Sequence, residues 1–241
     1  MHVLQRRTPK SALSLILATT CLAASAGVFS VTPVRLYMTQ RDRAIAVTLT
    51  NEGDTPIVLQ ADINTWSQKP DGTDELVLTD DLILAPPIIK LAPKARQVVR
   101  LALLKPADAS RQLTYRMIIR EVPEALPSAS IEVPIALALS MPVFITPPVA
   151  KRLVACSARR ADARTITLNC GNTGTAYAQI REASVTRGGQ ALARFEGGSY
   201  ILPGASKIVS LKAEKDVSPG DAQLEVTFDD GQSLTNSITL P

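Results

Sequence analysis

The sequence predicts an all-β protein of two β-sandwich domains, and three observations support this prediction. Helical periodicity is nearly absent from residues 27–241. Short β-rich runs alternate instead with turn signals such as NEGDTP, KPDG and LAPKA. The stiff segment Thr146-Pro147-Pro148 interrupts this pattern, which then restarts with LVACSAR.

The two predicted domains divide the strand runs between them. Residues 27–147 have room for roughly seven or eight strands, in the runs VFSVTPVRLYMT, RAIAVTLT, IVLQADINTW, ELVLTDDLILAPP, RQVVRLALL, LTYRMIIREVP and IEVPIALALSMPVFI. Residues 148–241 are predicted to form a smaller sandwich with the runs LVACSAR, TITLNC, AYAQIREASV, SYILP, SKIVSLKA, AQLEVTFDD and SLTNSITLP. Trp66, the only tryptophan, lies in a strand run and is expected in the core.

Residues 1–26 are predicted to be a secretory signal peptide. A basic start, MHVLQRRTPK, precedes the apolar run SALSLILATTCLA and the small-x-small site Ala24-Ser25-Ala26. The apolar run is short for a membrane span. Cys21 leaves a lipid anchor as the alternative, although the preceding Ala18-Thr19-Thr20 is a poor lipobox.

Removing this segment changes what the composition implies. The formal net charge falls from +4 to +1, because Arg6, Arg7 and Lys10 are removed with the segment. The basic composition of the whole chain is therefore weak support for nucleic-acid binding. The only histidine, His2, leaves as well. Its loss excludes Ser-His-Asp and Cys-His catalysis and histidine-ligated zinc. We expect no enzyme activity, cofactor, metal or small-molecule substrate.

Cys156 and Cys170 are the two cysteines that remain. In an oxidising compartment an even pair favours a disulfide, and TITLNC and LVAC resemble neighbouring strands. Two buried free thiols are the alternative.

Residues 131–145, IEVPIALALSMPVFI, are predicted to form one long strand with an apolar stripe. Its odd positions are Ile131, Val133, Ile135, Leu137, Leu139, Met141, Val143 and Ile145. This period of two is typical of a β-strand. Pro134 and Pro142 cannot donate to a strand ladder, so the strand is expected at a sheet edge. A long apolar edge is an aggregation hazard that most proteins avoid.

Four runs resemble the periplasmic pilus-assembly chaperones of the chaperone–usher pathway: TPVRLYM, LTNEGDTPIVLQADINTW, APPIIKLAPKARQVVRL and YRMIIREVP. The stretch SMPVFITP is most similar to the archaic, Csu-like branch. The resemblance implies two immunoglobulin-like domains in an L-shaped or boomerang arrangement. It also implies a periplasmic protein that binds a pilus subunit, stabilises it and hands it to an outer-membrane usher, without catalysis or cofactor.

The resemblance also implies a use for the stripe. In this family the alternating strand is lent to a subunit that lacks its own last strand, so that apolar side chains fill the subunit's groove. The implied donor residues are Ile131, Val133, Ile135, Leu137 and Leu139, whereas Met141, Val143 and Ile145 are expected inside the chaperone. An ordinary half-buried strand is the alternative, and self-association through the free edge is a further possibility.

The family anchors the subunit's C-terminal carboxylate with two cations, because paired charge-assisted hydrogen bonds set its register. Arg35 matches the first cation, but Pro142 stands where the family has a lysine. In LTYRMIIRE, strand parity directs Tyr115, Met117 and Ile119 inward, so Arg116 faces outward and is expected to replace that lysine. A solvated surface arginine is the alternative.

Two other functions compete with this reading. A secreted two-domain structural protein or adhesin of a surface fibre would share the same sandwiches. A secreted carboxylate-only glycosidase remains as an enzymatic alternative, although the adjacent pairs Asp80-Asp81 and Asp229-Asp230 point to opposite faces of a strand.

Overall fold

The computed structural model describes residues 29–42, 44–123 and 136–241. The first ten strands are β1 (Phe29–Thr32), β2 (Leu36–Thr39), β3 (Ala44–Asn51), β4 (Ile57–Gln68), β5 (Asp74–Leu78), β6 (Leu82–Ala85), β7 (Ile88–Leu91), β8 (Arg96–Leu103), β9 (Leu113–Glu121) and β10 (Ala138–Thr146). The next seven are β11 (Val154–Asp162), β12 (Thr165–Asn172), β13 (Ala178–Arg187), β14 (Gln190–Ile201), β15 (Ser206–Lys212), β16 (Gly220–Phe228) and β17 (Ser233–Leu240). The described residues contain no helix, so the all-β prediction is confirmed.

The first ten strands form two sheets around one hydrophobic core. One sheet has the order β1-β3-β8-β6, and the other has the order β2-β10-β9-β4-β5, with β7 also paired to β4. Period-two alternation supplies the core, since Tyr115, Met117 and Ile119 of β9 are buried as predicted. Leu49 and Leu101 of the first sheet belong to the same core, so both sheets contribute side chains to it.

The alternating strand β10 is an edge strand only over its first half, which corrects the sequence-based expectation. β9 pairs with it along Ala138–Ile145, but β2 joins its other side, in parallel, from Val143 onward. The reason is that the chain changes sheets: β1 pairs with β3, whereas β2, after the break at residues 33–35, pairs with β10. Pro142 is the last residue before this second neighbour, where a missing N–H is tolerated.

The remaining strands form one seven-stranded sheet in the order β11-β12-β15-β14-β13-β16-β17. The sheet curls so that its end strands β11 and β17 lie near each other, and it encloses a second hydrophobic core. Cys156 and Cys170 are direct partners in the β11–β12 register and form a disulfide, which confirms the predicted bridge.

The same asparagine turn occurs beside both cores. Asn51 and Asn172 are both buried. In each turn the Nδ2 group donates to the carbonyl four residues later, and Oδ1 accepts from the N–H two residues later. The buried amide thereby satisfies turn backbone groups that the strand ladders leave unpaired.

The two cores draw on separate parts of the chain. The first uses residues 29–145 and the second uses residues 154–240. The predicted limits, 27–147 and 148–241, and the predicted L shape stay predictions. The predicted signal peptide lies outside the described residues, and within the described ranges no helix has the length and apolar character needed to cross a membrane.

Candidate functional site

The apolar stripe changes from exposed to buried as β10 begins. Leu137 is 41% exposed, whereas Leu139 is half-buried against the first core. Met141, Val143 and Ile145 are buried, as expected for residues that pack inside this protein. The other predicted donor residues lie outside the described residues: Ile131, Val133 and Ile135.

The second sheet places three residues side by side on neighbouring strands: Arg35, Pro142 and Arg116. Pro142 is the register partner of Arg116 on β9. Leu36 is the register partner of Val143, so extending that register by one residue places Arg35 beside Pro142. Because neighbouring strands are about 4.8 Å apart, the two arginine Cα atoms are separated by roughly 10 Å. The two predicted anchor residues therefore flank Pro142.

Arg116 lies in a nearly enclosed site rather than on the open surface. Its guanidinium carbon is 3.7 Å from the ring centroid of Trp66 and 5.5 Å from that of Tyr200. Its NH2 atom is 3.8 Å from Asp74 Oδ2, and its side chain is 14% exposed. Burial lowers the pKa of Arg116, and the charge of Asp74 opposes this effect. Arg116 remains a cation, since an arginine is not deprotonated in proteins.

Arg35 lines an open cleft of about 700 Å³ between the two parts of the protein. Its NH1 atom is 3.6 Å from Asp229 Oδ2, and its side chain is 31% exposed. Arg35 and Arg116 both act on Tyr200: burial raises the pKa of this phenol, while the two positive charges oppose the rise. The charges of both predicted anchor residues thus act on one tyrosine.

The cleft contains two cations that sequence reasoning missed, Lys151 and Arg152. Arg152 is held by Asp230, with 3.0 Å between Arg152 NH1 and Asp230 Oδ2. Lys151 is exposed and has no ion pair among the described residues. Their position in the sequence could have identified them. A Lys-Arg pair directly after a proline-rich linker is expected to lie where two domains meet.

A chain of hydrogen bonds crosses the cleft from Tyr37 to Asp229. The hydroxyls of Tyr37 and Tyr177 are 3.0 Å apart, and the Tyr177 hydroxyl donates to Asp229 Oδ2 at 2.8 Å. A hydroxyl has one proton, so Tyr37 is the donor to Tyr177. Burial, together with Tyr37 and Asp229, raises the pKa of Tyr177, which keeps this donor protonated.

The sequence and the fold both match known chaperones. Residues 28–151, just over half of the chain, match the family of pili and flagellar-assembly chaperones defined by the PapD N-terminal domain. The chain belongs to this chaperone family. No curated protein sequence matches the chain.

Solved structures of pilus chaperones share the fold of this chaperone. The CsuC–CsuE chaperone–tip adhesion subunit complex of archaic Csu pili from Acinetobacter baumannii matches at 20% identity and a TM-score of 0.63, covering 89% of this chain and 99% of the other. The E. coli chaperone DraB matches at 18% identity and a TM-score of 0.57, covering 89% and 98%. The complex of Salmonella enterica SafA pilin with the SafB chaperone matches at 17% identity and a TM-score of 0.57, covering 90% and 97%. These matches confirm the predicted pair of immunoglobulin-like sandwiches.

Aromatic rings join the two parts of the chaperone behind the cleft. Phe144 of β10 is buried and stacks on Tyr177, with ring centroids 4.0 Å apart. Trp66 meets Tyr200 edge-on at 5.2 Å. Trp66 is therefore buried, but in a third cluster at this junction rather than in either sandwich core. It lies there because its even position on β4 opposes the buried odd positions of residues 57–63.

Two glutamines add polar contacts to this junction. Gln68 donates to the carbonyl of Tyr200 and accepts from the N–H of Leu202. The side-chain Oε1 of Gln112 accepts from the N–H of Tyr177, and the backbone N–H of Gln112 donates to the carbonyl of Thr175. Each glutamine side chain bonds to at least one backbone group of the opposite part, which favours one arrangement of the cleft.

Within the described ranges, no group of His, Cys, Asp and Glu side chains has the arrangement of a metal site. The paired aspartates at the cleft, Asp229 and Asp230, contact different arginines. The cleft therefore offers charged groups suited to binding an ionic group of a partner.

Proposed function

We propose that this chaperone binds a pilus subunit in the periplasm by lending it the strand that leads into β10, and then delivers it to an outer-membrane usher. The free first half of β10 carries the proposal. Among the described residues, Ala138–Pro142 has β9 on one side and no strand on the other. The unpaired backbone groups of such an edge can bind an extended segment of a partner.

The apolar stripe supplies the side-chain part of this interaction. The proposed donor residues are Ile131, Val133, Ile135, Leu137 and Leu139. Burying one large apolar side chain contributes about 1.5–3 kcal/mol. Leu137 is 41% exposed and is available for such burial, whereas Leu139 already contacts the chaperone's own core. We place the end of the donated stripe at Leu139.

The proposed anchor for the subunit's C-terminal carboxylate is Arg35 together with Arg116. Their positions on either side of Pro142 support this assignment. Arg35 is the more accessible of the two, since its side chain is 31% exposed and that of Arg116 is 14% exposed. Lys151 is a further cation in the cleft that Arg35 lines. Charge-assisted hydrogen bonds to a carboxylate would set the register of the donated strand.

The partners are proposed by analogy with the structural relatives. The A. baumannii complex pairs its chaperone with a tip adhesion subunit, and the Salmonella complex pairs its chaperone with a pilin. A subunit of this kind is the proposed partner here. Membership in the chaperone family supports the proposed usher and the proposed periplasmic location, and the proposal includes no catalysed reaction.

The test is a periplasmic pull-down of the tagged protein, with bound proteins identified by mass spectrometry. The wild type is compared with Leu137→Arg, which places a charge in the stripe. Leu104→Arg is the matched control, because Leu104 is 61% exposed and directly follows β8, a strand of the sheet that does not contain β10.

The expected result is a small secreted β-rich subunit that is bound by the wild type and by Leu104→Arg but lost from Leu137→Arg. Equal capture by all three proteins would overturn strand donation. Incorporation of the chain itself into a surface fibre would support the structural or adhesin alternative instead.

A further inference from the structure

Asp229 occupies the position that a carboxylate bound to Arg35 would take. Its Oδ2 atom is 3.6 Å from Arg35 NH1, which is longer than an N–H···O hydrogen bond. The ion pair is therefore loose. An incoming carboxylate can form shorter, paired hydrogen bonds with the same guanidinium.

Asp229 cannot readily move away from this position. Its side chain is 13% exposed, and its Oδ2 atom accepts the Tyr177 hydroxyl at 2.8 Å. Its N–H donates to the carbonyl of Gln179 at 3.0 Å. Tyr177 in turn is packed against Phe144. A ligand carboxylate at Arg35 would thus lie close to a second, fixed carboxylate, and like charges repel.

We propose that Asp229 is an internal competitor for the ligand carboxylate at Arg35. This inference rests on the proposed function and adds a way of limiting affinity at the same cleft. In the empty chaperone Asp229 neutralises Arg35. In the complex it opposes the bound carboxylate, which favours release of the subunit.

The neighbouring Asp230 provides a matched control. It lines the same cleft and has the same charge, but it contacts Arg152 rather than Arg35. Asp229→Asn and Asp230→Asn therefore change the net charge equally, and only the first frees Arg35. Asparagine retains an oxygen that can accept the Tyr177 hydroxyl, and Asp229→Ala is a second variant that removes both charge and acceptor.

The experiment measures binding of an acetylated hexapeptide with a free C-terminal carboxylate, and of its C-terminal amide, by isothermal titration calorimetry. We expect Asp229→Asn and Asp229→Ala to bind the acid about tenfold more tightly than the wild type does. The amide should bind equally to all three proteins. The gain should disappear in the Arg35→Gln background and should be at most about twofold in Asp230→Asn.

Equal gains from Asp229→Asn and Asp230→Asn, or a gain that persists with Arg35→Gln, would overturn the proposal because a general field effect would explain them. Unchanged acid binding in both Asp229 variants would overturn it as well. Asp229 is present in all three proteins of the Leu137→Arg pull-down, so that comparison tests strand donation separately. Failure of the competitor proposal is therefore distinguishable from failure of strand donation.

Discussion

The guanidinium of Arg116 lies 3.7 Å from the ring centroid of Trp66, on the sheet face that meets the second part of the chaperone. A cation over an indole ring is stabilised most strongly when both groups are shielded from water. Both conditions hold here, because Trp66 is 2% exposed and the Arg116 side chain is 14% exposed. Arg116 is therefore both a proposed anchor residue and part of the junction.

Replacing Arg116 should be visible in the fluorescence of Trp66, the only tryptophan in the chain. We expect Arg116→Ala to shift the emission to longer wavelength, because water gains access to the indole, and to lower the free energy of unfolding by about 1–2 kcal/mol. Arg120→Ala is the control, since Arg120 lies on the same strand and pairs with Asp62 instead. An unchanged emission spectrum in Arg116→Ala would contradict the stacked arrangement.

The Cys156–Cys170 disulfide should stabilise the second part of the chaperone. It closes a loop with a sequence separation of 14, for which chain entropy gives about 3 kcal/mol. We expect the double variant Cys156→Ala/Cys170→Ala to lose about this amount in urea unfolding. Reductant should destabilise the wild type and leave the double variant unchanged. A wild-type midpoint that is insensitive to reductant would show that the bridge contributes nothing.

Asp81 should make the first sandwich sensitive to acid. Burial raises the pKa of Asp81, but hydrogen bonds from Lys105 and Tyr115 outweigh it and hold the pKa below its ordinary value of 3.8. A carboxyl whose pKa is lower in the folded state stabilises that state above its ordinary pKa. This contribution is lost as the pH falls below about 4 and through the folded-state pKa.

The measurement is the unfolding free energy of the wild type and of Asp81→Asn from pH 7 to pH 2. We expect Asp81→Asn to be less stable by about 1–2 kcal/mol at pH 7, and the difference to shrink below about pH 4. Asp80→Asn is the control, because Asp80 is the exposed neighbour. A difference that stays constant across this range would refute the assigned role of Asp81.

Local pattern was sufficient to predict much of the first sandwich. Period-two alternation placed Tyr115, Met117 and Ile119 in the core, and the structure agrees. The same reasoning failed for the pairing of β10. The positions of the prolines show where a backbone N–H is missing, but they do not show which strand pairs with β10. The approach of β2 depends on the change of sheets at residues 33–35, which has no periodic signature.

The sequence by itself determined the all-β class, the alternating stripe, the cysteine pair and the outward direction of Arg116. These features depend on neighbours in the chain or on the two-residue period of a strand. Only the tertiary structure decided that Tyr37 meets Tyr177, 140 residues away, and that Asp229 faces Arg35. The physical reason is that such contacts arise where two separately folded cores meet, and no local repeat in the chain records which side chains lie at that junction.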